Sequence, residues 1–123
     1  MGIVRRREEG WSWAGTTPRD YASGAVRRVL VGPEDGVRDV ELRYFEIPAG
    51  GASALERHPH EHAVLILHGE AEVLLGDRVH PAGPGDAVFV AGDELHQFRA
   101  RGAAPLGFVC AVRADRGRAP SKG

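Results

Sequence analysis

The sequence predicts an all-β protein, and two observations carry that prediction. Seventeen glycines and eight prolines divide the 123 residues into brief segments. Those segments are rich in Val, Leu, Ile, Phe and Tyr, which favour strands, and none shows the sustained three-and-four apolar spacing of an amphipathic helix. Many short strands separated by regular turns indicate a sandwich or a closed barrel.

Seven segments are predicted to be strands, and five predicted turns between them are rich in Gly, Pro or Asp. In chain order the predicted strands are Ala25–Val31, Val40–Ile47, Ala63–Leu67, Ala71–Leu75, Ala87–Val90, Leu95–Ala100 and Leu106–Val112. The predicted turns are 32–36, 48–51, 76–77, 81–86 and 92–93. We therefore place one barrel domain at residues 25–113.

The two ends of the chain differ from this barrel. Residues 1–24 hold Trp11, Trp13 and Tyr21 among charged and small residues. A loose tail would expose the large apolar area of two tryptophans, so we predict an arm that packs across the barrel or onto a second subunit. Residues 114–123 are rich in Arg, Gly and Pro, which predicts a flexible tail.

Composition excludes several functional classes. Lys plus Arg is 16 and Asp plus Glu is 17, so no basic field is available to bind nucleic acid or an anionic membrane. No apolar run is long enough to span a bilayer, and no secretory signal follows Met1, which favours a cytoplasmic protein. The single cysteine, Cys110, cannot form an internal disulfide. We expect it to be a small buried hydrophobic residue, with a pocket-lining thiol as the alternative.

A dense histidine cluster precedes one predicted strand. Three histidines occur within the five residues His58-Pro59-His60-Glu61-His62, and Glu56 lies just before them. Alternate residues of a strand share a face, so His62 points inward if Val64 does. A buried imidazole or carboxylate is costly without a partner, and a shared metal removes that cost. The alternative, a solvated polar loop, fits poorly with the apolar strand that follows.

The spacing of these residues resembles the first motif of the cupin superfamily. Gly50 is followed after five residues by Glu56, then by His58, His62 and Gly69 at the family's intervals, although Glu56 stands at a His place and His62 at a Glu place. Of the second motif, Gly85 and His96 are kept, while Ala91, Asp93 and Ala100 replace the usual residues. Reading His58 and His60 as the paired histidines instead would put Ala52 at the Gly position, so we reject that register. His60 then lies in the turn near the barrel mouth.

The resemblance covers about residues 25–113 and is to the small single-domain, cupin 2 conserved-barrel type. It implies an all-β cupin double-stranded β-helix, or jelly-roll, barrel. It also implies one divalent transition metal held by Glu56, His58, His62 and His96. Three imidazoles and one carboxylate suit Mn, Fe, Ni, Cu, Co or Zn rather than Ca. A closed structural zinc site is the alternative.

The activity is less sharply predicted than the site. An octahedral metal with four protein ligands keeps two open positions, which favours a dioxygenase that acts on a small enolic, aromatic or oxyanion substrate. A metal-dependent isomerase or lyase, or a non-catalytic small-ligand or metal-binding protein, are the alternatives. Glu56 is the predicted catalytic base, because a carboxylate beside a cation stays ionised. We also expect a homodimer, a barrel-core role for Tyr44 and Phe98, and solvated side chains for His68 and His80.

Overall fold

The structure is a computed structural model that describes residues 1–115, and its regular secondary structure is almost entirely β-strand. Nine strands fall within these residues: β1 Arg19–Ala22, β2 Ala25–Val31, β3 Val40–Ile47, β4 His62–His68, β5 Glu70–Leu75, β6 Arg78–Ala82, β7 Ala87–Val90, β8 His96–Arg101 and β9 Leu106–Arg113. Within residues 1–115, one 3₁₀ turn spans Pro33–Asp35. Over the described residues, no helix has the length and apolar character needed to cross a bilayer.

The strands form two antiparallel sheets that enclose one core. The larger sheet has the order β1-β2-β3-β9-β4-β7, and the smaller has the order β6-β5-β8. Both contribute to a common apolar cluster, in which Ile47 and Ile66 of the larger sheet meet Val73 and Phe98 of the smaller. The predicted all-β barrel is confirmed.

Strand register decides which side chains enter the barrel, because residues directly opposite each other in a sheet point to the same face. Two inward rows cross the larger sheet from β1 or β2 towards β4 and β7. The first row contains Arg19, Arg27, Phe45, Phe108 and Ile66. The second contains Val29, Arg43, Cys110, Val64 and Val88. Arg27, Arg43 and Cys110 are therefore placed inside the barrel, whereas Arg19 and Val29, at the ends of the two rows, are exposed.

The N-terminal residues cover the outer face of the same chain's barrel. Tyr44, on the outer side of β3, is only 1% exposed because the rings of Trp11 and Trp13 lie 6.2 and 5.0 Å from its own. The Tyr44 hydroxyl hydrogen-bonds His68 Nε2 at 2.6 Å, and Trp11 stacks on His68 at 4.7 Å. The expectation that His68 is solvated is therefore wrong. His80 is exposed, as expected.

The seven predicted strands are all present, but two strands were missed. β1 lies within the segment predicted to be an arm, where Asp20 and polar neighbours give no apolar run. β6 overlaps the turn predicted at 81–86, because Pro81 is tolerated at the edge of a sheet, where its missing N–H costs no ladder bond. The turn itself begins after Ala82. The predicted tail falls mostly outside the described residues.

Candidate metal centre

Three imidazoles converge inside the barrel. His58 precedes β4, His62 is the first residue of β4, and His96 is the first residue of β8 in the opposite sheet. One ligand atom from each lies within 4.8 Å of the others. The backbones of Glu56 and His96 exchange hydrogen bonds of 3.0 and 2.9 Å, which holds the segment before β4 against the smaller sheet. Both sheets therefore contribute to one histidine cluster.

The hydrogen bonds of two histidines determine which ring nitrogen faces the centre. His58 Nδ1 lies 3.1 Å from the His60 carbonyl oxygen, and His96 Nδ1 lies 2.8 Å from that of Glu94. A carbonyl can only accept, so each Nδ1 carries the ring proton and donates it. Each Nε2 then presents a lone pair. Orientation by a backbone carbonyl is the arrangement usual for metal-binding imidazoles.

His62 is suited to the same task. Burial, reinforced by the neighbouring His58, lowers the pKa of His62 to about 3, so its ring is neutral at ordinary pH. Its Nε2 lies 3.0 Å from His58 Nε2. Two nitrogens bound to one ion at ~2.1 Å and at right angles are separated by about the same distance. The three histidines are thus positioned to bind a metal ion, while the kind of metal and the fourth ligand stay predictions.

Glu56 lines the same cavity but is held at its wall. Its Oε1 accepts a 2.5 Å hydrogen bond from the hydroxyl of Tyr21, which β1 supplies. Burial, followed by the hydrogen bond to Glu56, raises the pKa of Tyr21, so the phenol stays protonated and donates. The group of atoms within 4.8 Å consists of the three histidines without Glu56. The roles of Glu56 as ligand and as base stay predictions.

A cavity of about 180 Å³ opens beside the histidines. Val64, Phe98 and Phe108 form its apolar side. Cys110 is 2% exposed yet lines this cavity, and its Sγ lies 2.9 Å from His62 Nδ1. Cys110 is thus a buried member of the apolar core, as expected, and its thiol also lines the pocket, which was the alternative considered.

Several residues of the site escaped sequence reasoning. Tyr21, Arg27 and Arg43 all line the cavity, and each comes from a strand remote from the histidine motif. The alternation within β2 and β3 was the signal that could have placed the two arginines inward. His60, expected near the barrel mouth, lines the cavity and stacks on His58 at 3.7 Å.

Two sheets closed around three inward imidazoles are the arrangement of a cupin with a site for a metal ion. The model of the cupin domain family, Cupin_2, matches residues 43–112. The chain belongs to that family. Its similarity to individual proteins extends further, both in sequence and in structure.

Three relatives are informative. The 1-methylthio-D-xylulose 5-phosphate methylsulfurylase of Rhodospirillum rubrum is 49% identical over 76 residues, which are 62% of this chain and 49% of that protein. The chain thus spans about half the length of this curated relative. A cupin-2 domain crystal structure from Rhodospirillum rubrum is 36% identical with a TM-score of 0.80, and the match covers 97% of this chain and 84% of that one. A cupin 2 domain-containing protein from Halorhodospira halophila is 43% identical with a TM-score of 0.74, covering 98% and 86%.

Proposed function

We propose that this chain is a metal-dependent cupin enzyme that transfers the methylthio group of a 1-methylthioketose phosphate to a thiol. The observation that carries the proposal is the position of Cys110, whose sulfur shares one cavity with the three histidines. The Rhodospirillum rubrum relative, named for such a substrate, supplies the substrate class. The proposal replaces the oxygenase as the leading function.

The proposed metal ligands are His58, His62 and His96, with Glu56 as a fourth ligand or as the proton carrier. When bound, the metal supplies a Lewis acid for the carbonyl next to the carbon that bears the methylthio group. The apolar side of the cavity excludes water from the reacting sulfur atoms. Glu56 is the one carboxylate among the described residues that line this cavity.

The surroundings of Cys110 favour a nucleophilic sulfur. If His62 Nε2 is the ligand atom, Nδ1 must carry the ring proton, and it then donates to Cys110 Sγ at 2.9 Å. Arg43 Nη2 donates to the same sulfur at 3.9 Å. An imidazole N–H and a guanidinium both favour the thiolate form, which is the reactive one.

The transfer can be written so that atoms and electrons balance. The Cys110 sulfur attacks the methylthio sulfur, a sulfur–sulfur bond forms, and the bond from that sulfur to C1 breaks. The electron pair of the broken bond passes to C1 and its neighbouring carbonyl, and C1 takes up a proton through Glu56. A low-molecular-weight thiol then attacks the Cys110 methyl disulfide, restores the cysteine and leaves as a mixed methyl disulfide. The sugar is reduced at C1, and thiol is oxidised to disulfide.

The test is turnover of 1-methylthio-D-xylulose 5-phosphate with dithiothreitol by protein loaded in turn with Mn, Fe, Co, Ni and Zn. Proton NMR should show loss of the S-methyl signal of the sugar and growth of a 1-deoxy methyl signal. The Cys110→Ser variant should retain its metal but lose turnover by about 100-fold or more. Absence of turnover with every metal at full occupancy, or full activity of Cys110→Ser, would refute the proposal.

A dioxygenase remains the second candidate, because three imidazoles leave a metal open positions for both a substrate and dioxygen. The apolar wall formed by Val64, Phe98 and Phe108 favours it, since such a wall protects reactive intermediates from water. Oxygen uptake by the iron-loaded protein with enolic or aromatic substrates tests this candidate. If methylthio transfer proceeds at an unchanged rate under anaerobic conditions, the result supports the transferase and contradicts the dioxygenase.

A further inference from the structure

We infer that Arg27, with Arg19 opposite it, forms a subsite that binds the phosphate of the substrate. The inference rests on the proposed function, because it assumes a phosphorylated substrate whose other end reaches the histidines. It assigns a role to two cationic residues outside the histidine cluster and outside residues 43–112, which the family model matches.

Register places both side chains on the same face of the larger sheet, where Arg27 is half-buried and Arg19, at the sheet edge, is exposed. Arg27 is paired with Phe45 on β3 and with Arg19 on β1. Phe45 lines the cavity, and directly paired residues share a face. Arg27 and Arg19 therefore continue, towards the edge of the sheet, the row of side chains that begins at the cavity. Arg28, the next residue, points the other way and donates to Thr16 at 3.1 Å.

Arg27 also lies where two cavities of the protein meet. It lines the cavity of about 180 Å³ beside the histidines, and it lines an adjacent cleft of about 420 Å³ together with Arg19, Arg5 and Thr17. A substrate that is longer than the first cavity can keep its reacting end at the histidines. Its charged end then lies at Arg27, where the two spaces meet.

The charges that line the cleft indicate an anion site, because three arginines, Arg5, Arg19 and Arg27, outnumber two carboxylates, Glu34 and Asp35. Arg5, in the same cleft, already forms an ion pair with Asp35 at 2.6 Å, and its Nε donates a hydrogen bond to the Leu30 carbonyl oxygen at 2.7 Å. In contrast, neither Arg27 nor Arg19 forms an ion pair with an acidic side chain within residues 1–115. Like charges directly opposite each other destabilise a sheet. A phosphate between them removes that repulsion, and the planar guanidinium fork suits its oxygens.

The experiment is a calorimetric titration of the metal-loaded protein with D-xylulose 5-phosphate and, separately, with D-xylulose. Wild type should bind the phosphate form more tightly. Arg27→Met, which keeps an apolar stem and removes the charge, should weaken that binding by about 10- to 100-fold and leave the D-xylulose titration unchanged. The matched control is Arg101→Met, which makes the same charge change at an exposed position on β8. It should bind like wild type.

Further results test the phosphate subsite and separate it from the proposed reaction. Arg27→Lys keeps the positive charge but not the planar guanidinium, so it should lose less affinity for the phosphate form than Arg27→Met. If Arg27→Met is too unstable to measure, Arg27→Lys serves as the test. Equal binding of the two sugars by wild type, or equal losses in Arg27→Met and Arg101→Met, would overturn the subsite. If methylthio transfer is absent while Arg27-dependent binding of the phosphate persists, the subsite stands and the proposed reaction is wrong.

Discussion

The contact between Tyr21 and Glu56 gives the sharpest prediction about the site. Tyr21→Phe removes one hydroxyl and keeps the ring, which packs edge-on against Phe45 at 5.1 Å. The lost interaction is a 2.5 Å hydrogen bond to a carboxylate. Hydrogen bonds to charged groups contribute roughly 1.5–3 kcal/mol to stability, and partial exposure of both partners favours the lower end. We expect Tyr21 and Glu56 to be coupled by about 1–2 kcal/mol.

The assay is a double-mutant cycle on metal-free protein, with Tyr21→Phe, Glu56→Ala and the double variant unfolded in urea. Because removal of either partner breaks the same hydrogen bond, the double variant should be less destabilised than the sum of the single variants. Additivity within about 0.3–0.5 kcal/mol would refute the contact. Titration of the same variants with Mn²⁺ tests the ligand role. If Glu56 is a ligand, Tyr21→Phe frees its carboxylate and should bind the metal more tightly than wild type.

Four other predictions concern catalysis, metal binding, backbone and assembly. Fully metallated Glu56→Gln should lose about 100-fold or more in turnover, whereas a loss only in proportion to lost metal would make Glu56 a mere ligand. His62→Ala should weaken metal binding in a chelator competition by more than about 100-fold, and the exposed control His80→Ala should not. Gly69→Ala should lower the unfolding free energy by about 1–3 kcal/mol more than Gly76→Ala. Both glycines have positive φ, but of the two only Gly69 lies where a Cβ would overlap a backbone carbonyl, that of Pro105. Sedimentation at micromolar concentration should show the predicted homodimer, and a monomer alone would contradict it.

The barrel was predictable because its signals are local. Glycine and proline mark the ends of seven strands, and a turn residue acts through its own φ and hydrogen bonds. The histidine cluster was predictable for a similar reason. His58 and His62 lie four residues apart, so sequence spacing alone brings them close, and the family spacing added His96.

The rest of the site depends on register between distant strands. Cys110 is opposite Val64 in the pairing of β4 and β9, and that pairing brings its sulfur to His62, 48 residues away. No local pattern specifies which of two alternating faces of β9 turns inward, since both carry apolar residues. Tyr21 was harder still, because β1 is a short edge strand of four residues and has little apolar character.

The N-terminal residues therefore contribute side chains beside the site as well as covering the barrel. β1 supplies Tyr21, which holds Glu56, and Arg19, which lies opposite Arg27. Trp11 and Trp13 cover the outer face of β3, the strand that neighbours β2 in the same sheet. The family model matches residues 43–112, so β1 and β2 lie outside the matched segment. If the proposed function is correct, residues 1–42 contribute Arg19 and Arg27 to substrate binding, while residues 43–112 contribute the three histidines.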